Sequence, residues 1–292
     1  MTITTRSEQA CFGGVQGFYT HASTSTGTEM KFGVFVPPNV GKNHEAPALY
    51  YLAGLTCSEE TFAIKAGAQR LAAELGLVLV TLDTSPRGLD LPGDSAHWDF
   101  GVGAGFYVDA TQAPWATNYK MYSYVVDELP AVIEANFPVS DRRGIFGHSM
   151  GGHGALVIAL RNPQRFHSVS AFAPIANPVA VPWGEKAFGN YLGNDRDAWA
   201  AYDASVLMRA NAFPGEILVD QGLRDQFLAN QLHPEALEAA AAASGQRLTL
   251  RRHDAYDHSY WFIATFVADH LAWHAERLRS SRATSAEFKS AR

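Results

Sequence analysis

Two textures of apolar and polar positions divide the chain. Over the first forty residues they alternate, as in Lys31-Phe-Gly-Val-Phe-Val36 ahead of Pro37-Pro38. That period of two predicts antiparallel strands at a sheet edge. Further on, short continuous apolar runs take over at residues 48–52, 77–81, 143–146, 169–172 and 217–219. Such runs predict strands buried on both faces. Between them lie stretches of helical character at residues 60–75, 121–135, 152–160, 234–243 and 260–278, with Pro130 expected to kink or bound the second. Together these predict an α/β fold: a mainly parallel central sheet, helices on both faces and an antiparallel N-terminal edge. Residues 83–118, rich in Gly and aromatics, and 177–211 break the rhythm and are expected to be irregular walls or a lid of a site. No repeat and no Pro/Ser-rich linker intervenes, so residues 1–279 are read as one domain and the polar stretch 280–292 as a fraying tail.

Composition narrows the function. At 292 residues, 47% hydrophobic and 18% charged, the chain can bury a large core and is not disordered. Lys plus Arg total 23 against 29 for Asp plus Glu, a net charge of −6, which leaves no basic footprint for nucleic acid or an anionic membrane. An anionic small molecule would need local positive groups to hold it. Two cysteines, Cys11 and Cys57, exclude a disulfide scaffold and a Cys-rich metal site. The N-terminus lacks the apolar core of a signal peptide, and the longest apolar runs are too short to span a bilayer. The expectation is a cytoplasmic globular protein.

The sharpest chemical signal is Gly147-His148-Ser149-Met150-Gly151, a G-x-S-x-G motif between a predicted strand and a predicted helix. A serine presented on so tight a turn needs neighbours without side chains two residues to either side. The amide of Met150 then faces a developing oxyanion at a helix N-terminus. A phosphate loop would want Lys followed by Ser or Thr, which this turn lacks.

A serine hydroxyl needs a base, and the base needs an orienting acid. In this class of turn the chain order is Ser, acid, His. His148 and His153 flank the turn and are expected to point away and pack locally. The loop after the last predicted strand offers His253 and His258, of which His258, on the far side, is the better placed. The preceding strand offers Asp220, read as a turn residue, and Asp225 in the loop beyond, which position favours. A second oxyanion donor is expected from Leu55, after the strand that ends near Leu52, with Gly54 allowing the turn. Cys57, two residues on, is expected to border the pocket, with a helix N-terminus near Glu60 favouring its thiolate. This chemistry asks for no cofactor and no metal.

Longer runs carry a resemblance. Leu52-Ala-Gly-Leu-Thr-Cys-Ser-Glu-Glu-Thr-Phe62, Asp83-Thr-Ser-Pro-Arg-Gly88 and Trp98-Asp-Phe-Gly-Val-Gly-Ala-Gly-Phe-Tyr-Val-Asp-Ala110 all resemble the S-formylglutathione hydrolase (esterase D) family. So do Gly147-His-Ser-Met-Gly-Gly-His-Gly-Ala-Leu156, Ala171-Phe-Ala-Pro-Ile175, Asp225-Gln-Phe227 and Tyr256-Asp-His-Ser-Tyr260. The resemblance covers roughly residues 13–274. It implies an α/β-hydrolase fold and a triad of Ser149, Asp225 and His258. It also implies cytosolic hydrolysis of the thioester S-formylglutathione to formate and glutathione, in a family whose members are often homodimers.

Overall fold

The computed structural model describes residues 1–41 and 43–279, and in it the alternating N-terminal segment forms an antiparallel meander. Its strands are β1 (Thr4–Cys11), β2 (Gly14–Ala22) and β3 (Glu29–Val36). The apolar runs become β4 (Ala46–Leu52), β5 (Val78–Leu82), β6 (Val139–His148), β7 (Ser168–Phe172) and β8 (Ile217–Gly222), followed by β9 (Leu248–His253). Among the described residues these make a nine-stranded sheet in the order β1-β2-β3-β5-β4-β6-β7-β8-β9. β3 meets β5 antiparallel, and from β5 to β9 every pairing is parallel. The expected mainly parallel sheet with an antiparallel edge is the one that forms. β5, β7 and β8 are buried along their whole length, as strands covered on both faces are.

The helices depart further from expectation. Residues 60–75 form two, α1 (Glu59–Lys65) and α2 (Gln69–Leu75), because Gly67 takes a positive φ of 68° between them. Ser58 and Thr61 close a capping box at the start of α1. The next stretch runs as α3 (Met121–Ser123), a π-type turn (Tyr124–Glu128) and α4 (Leu129–Asn136). Pro130 is the second residue of α4, at its boundary with the π-type turn that runs into it without a break, so it marks a boundary within one continuous helical stretch. α5 (Met150–Arg161) follows β6 directly and is buried from Met150 to Leu160. Residues 177–211 are not irregular as expected, although Trp183 among them does line a pocket. They hold α6 (Pro182–Tyr191), α7 (Arg196–Ala200) and α8 (Ala204–Ala210), the last two capped by Asp195 and Asp203. α9 (Pro234–Ser244) and α10 (Tyr260–Arg279) complete the set. The stretch expected to fray, 280–292, lies outside the described residues.

The strand order turns at β4. From β4 the chain steps to β5 on one side, then crosses to β6 on the other. A crevice opens outside the carboxyl ends of strands at such a switch point, the usual place for a ligand in an open α/β sheet. The segments leaving β4 and β6 there are the ones that carry Leu55 and Ser149.

Candidate active site

Ser149 joins β6 to α5 with φ 58° and ψ −119°, a backbone conformation that costs a non-glycine residue about 1–3 kcal/mol. The surroundings enforce it. Its N–H donates to the Phe172 carbonyl at 2.9 Å, and its own carbonyl accepts from His153 at 3.0 Å and Ile175 at 3.3 Å. A Cβ at Gly147 would lie 2.3 Å from the Gly151 carbonyl oxygen, and one at Gly151 would lie 1.9 Å from that of Leu52. Both positions are therefore closed to any side chain, as the motif requires. Met150 opens α5, so its amide has no intrahelical acceptor.

His258 reaches Asp225 from the next loop. Its Nδ1 lies 2.5 Å from Asp225 Oδ2, while Asp225 Oδ1 accepts the Phe227 amide at 2.8 Å and Gln221 Nε2 donates to Oδ2 at 3.3 Å. Gly222 makes the approach possible. A Cβ there would lie 2.4 Å from the Tyr256 carbonyl oxygen, so only glycine lets the 256–257 backbone close over the end of β8. The Arg224 amide then donates to that same carbonyl at 2.8 Å. The imidazole of His258 lies between Phe227, edge-on at 5.0 Å between centroids, and the ring of His148 at 4.4 Å.

Ser149, His258, Leu55 and Cys57 line one pocket of about 200 Å³ whose other walls include Trp98, Trp183 and Tyr260. Clefts of about 420, 480 and 620 Å³ elsewhere hold no serine beside a histidine. Gly54 sits against the elbow, its missing Cβ only 3.2 Å from that of Ser149. Among the described residues the Leu55 amide meets no acceptor, whereas its neighbour Thr56 donates to Gly103 at 2.9 Å. The arrangement sets a strained serine, a histidine tied to a buried carboxylate and two uncommitted amides around one small cavity, as acyl transfer requires.

Three expectations need correction. His148 does not point away: its ring lines the pocket and touches His258, and burial, with the charge of His258 second, holds it well below the usual histidine range. A neutral His148 spares His258 a second cation when it takes up a proton. Its signal in the sequence was only its place beside the serine. Asp220 is not a turn residue. It is fully buried inside β8, where Arg251 Nε and Nη2 each donate to it at 2.6 Å and His270 Nε2 lies at 3.2 Å. Cys57 does line the pocket, but burial pushes its thiol up, outweighing the lowering by its hydrogen bonds and by Lys65. His153 packs locally as expected, with Nε2 3.0 Å from the Phe106 carbonyl oxygen. His253 closes β9, where it stacks on Phe266 and lies 3.4 Å from Asp220. Among the described residues no helix is long and apolar enough to cross a membrane, and no group of three His, Cys, Asp or Glu could hold a metal ion.

Comparison with known proteins agrees with this chemistry. Residues 23–273 match the Esterase family. The chain is 52% identical over 277 residues to an S-formylglutathione hydrolase of Rattus norvegicus, covering 94% of this chain and 98% of that protein. It is also 52% identical over 275 residues to an S-formylglutathione hydrolase of Paracoccus denitrificans (strain Pd 1222), with coverage of 94% and 98%. The solved structure of an S-formylglutathione hydrolase from Agrobacterium tumefaciens matches with a TM-score of 0.91 at 52% identity, over 94% of this chain and 99% of that one.

Proposed function

The chain belongs to the Esterase family, within it to the S-formylglutathione hydrolases, and from that premise we propose that it hydrolyses S-formylglutathione to formate and glutathione. In this reading Ser149 is the nucleophile, His258 the base, Asp225 the orienting acid, and the amides of Leu55 and Met150 the oxyanion donors. Ser149 Oγ attacks the formyl carbon while His258 Nε2 takes its proton. The carbonyl oxygen gathers charge opposite the two amides, each donor being worth roughly 3–4 kcal/mol to the transition state. On collapse the C–S bond breaks and the proton passes from His258 to the departing sulfur. Water, deprotonated by the same imidazole, then attacks the formyl ester; as the C–O bond to Ser149 breaks, Oγ takes that proton back from His258 Nε2 and formate is released. Asp225 holds the Nδ1–H tautomer throughout and steadies the imidazolium.

The observation that carries this reading is the 2.5 Å contact of His258 Nδ1 with Asp225 beside the strained Ser149 turn. The pocket volume, about 200 Å³, suits a formyl group and the adjoining thioester rather than a long acyl chain. A thiolate leaves readily, so small activated esters are expected as lesser substrates. The test is hydrolysis of S-formylglutathione against p-nitrophenyl acetate by the purified protein; a higher kcat/KM on the acetate ester would refute the substrate assignment. The same membership motivates three further parts of the proposal: one catalytic domain over residues 1–279, a homodimer, and a cytoplasmic setting. Limited proteolysis, light scattering and cell fractionation check them in turn.

A further inference from the structure

Two of the runs that carry the family resemblance, Asp83 to Gly88 and Trp98 to Ala110, supply no residue to the proposed mechanism, yet both converge on the segment that bears Leu55. The loop after β5 comes from one side. Thr84, wholly buried, donates Oγ1–H to the Cys57 carbonyl at 2.6 Å, and Arg87 Nη2 donates to the same oxygen at 3.3 Å. Arg87 is itself held by both oxygens of Asp83, at 2.7 and 2.8 Å, and Asp83 also accepts the Thr84 amide at 2.7 Å. The glycine-rich run comes from the other side. The Tyr107 hydroxyl donates to the Ala53 carbonyl at 2.8 Å, and the Gly103 carbonyl accepts the Thr56 amide at 2.9 Å. The two runs are joined to each other: the Gly103 amide donates to Ser85 Oγ at 2.8 Å and the Gly105 amide to the Thr84 carbonyl at 3.0 Å.

From Ala53 to Cys57, then, the carbonyls of Ala53 and Cys57 and the amide of Thr56 are each held from outside, and the Cys57 amide closes back on Gly54 at 3.3 Å. The Leu55 N–H is left uncommitted in the middle. An oxyanion donor contributes most when it need not reorganise as charge develops. We propose that Thr84 and Tyr107, with Arg87 in support, are positioning residues that hold the Leu55 peptide aimed at the carbonyl oxygen of a substrate on Ser149. They touch no reacting atom and act through Leu55. The inference rests on the reading of Leu55 as an oxyanion donor.

Thr84→Val keeps the shape and removes the hydroxyl. It is expected to lower kcat about tenfold, less than the loss of a whole donor, with KM within about twofold. Thr84→Ser is expected to restore kcat to within about threefold, because it returns the donor. Affinity for a trifluoromethyl ketone, whose adduct with Ser149 carries an oxyanion, should fall by the same factor as kcat, a parallel that simple loss of stability would not produce. Tyr107→Phe makes the same test from the opposite side, and decides it should Thr84→Val fail to fold. Wild-type kcat in a folded variant, or a lost kcat with unchanged ketone affinity, overturns the proposal. The structure of a phosphonate adduct of the wild-type enzyme separates the two layers. A phosphoryl oxygen beyond hydrogen-bond reach of Leu55 N removes the donor reading itself. An oxygen within reach, with Thr84→Val and Tyr107→Phe unaffected, overturns the positioning role alone.

Discussion

Asp225→Asn offers a sharp test of the acid assignment, because the amide cannot reproduce what the carboxylate does in either orientation. As it stands, Oδ2 accepts from His258 Nδ1 at 2.5 Å and from Gln221 Nε2 at 3.3 Å, while Oδ1 accepts the Phe227 amide at 2.8 Å. If the new carbonyl takes the Oδ2 position, the NH₂ group faces the Phe227 N–H, a buried donor pair costing about 1–3 kcal/mol. If it flips, the NH₂ faces His258 Nδ1 and drives the imidazole proton onto Nε2, where the base must be free. Both orientations also remove the charge that steadies the imidazolium. Either way the loss should approach the roughly 10⁴-fold, about 5 kcal/mol, that this swap costs a serine-protease triad. The assay is kcat/KM for S-formylglutathione and p-nitrophenyl acetate, with circular dichroism to confirm folding. Asp220→Asn is the control. Its carboxylate is bound to Arg251 and His270 inside β8, so its loss should lower Tm while reducing turnover far less. A folded Asp225→Asn enzyme within tenfold of wild type, beside a folded but inactive Asp220→Asn, would refute the assignment.

Ser149→Ala should fold and lose at least about 10³-fold in turnover, and retained hydrolysis by a contaminant-free preparation would reject Ser149 as nucleophile. Because only neutral imidazole can accept the serine proton, kcat/KM should rise with pH; His258→Ala should abolish turnover while His253→Ala keeps both rate and profile. Burial disfavours the Cys57 thiolate, so a bulky maleimide should inhibit slowly at neutral pH and faster as pH rises, Cys57→Ala being resistant and Cys11→Ala still sensitive. Burial pushes His153 down to about 4 from 6.5, so the unfolded chain takes up that proton first as pH falls. Stability should therefore drop by about 2 kcal/mol between pH 7 and pH 5 on this account, and His153→Gln should flatten that part of a Tm–pH curve.

How much of this could be read from the chain depends on how local each constraint is. The elbow is legible because its sterics fall on two positions in the sequence, Gly147 and Gly151, that must lack side chains. The choice between Asp220 and Asp225 is half legible. Counting from the strand end favours Asp225, but that Asp220 serves Arg251 and His270 is a fact of packing. Three short helices in residues 177–211 escape notice because five to ten residues span too few turns to show a period, although Asp195 and Asp203 carry the capping signal of the last two. Cys57 shows a local argument overruled. It precedes a helix start, as the sequence suggests, yet desolvation by the folded surroundings outweighs the lowering by its hydrogen bonds and by Lys65. His148 is misjudged for the same reason, since nothing near it in sequence announces His258.

The two aspartates also show how one strand end serves both chemistry and architecture. Asp220 faces away from the pocket into a buried row that runs through His270, Ser170, His274 and Ser168, with successive contacts of 3.2, 2.8, 2.8 and 2.7 Å. That row ties β8 and β7 to α10, and Arg251 ties β8 to β9. Asp225 leaves from β8; His258 lies between β9 and α10. The elements joined by the row are thus the ones whose relative placement sets the distance between acid and base. A hydrogen bond of 2.5 Å tolerates little slack, and a loop would hold it poorly alone. Here both loops are short and spring from elements cross-linked by a buried charge whose carboxyl is held well below its ordinary range, chiefly against burial, by His270 and Arg251. A charge that is costly to bury is kept ionised by partners on both neighbouring elements, and removing any one partner would expose the remainder to that cost.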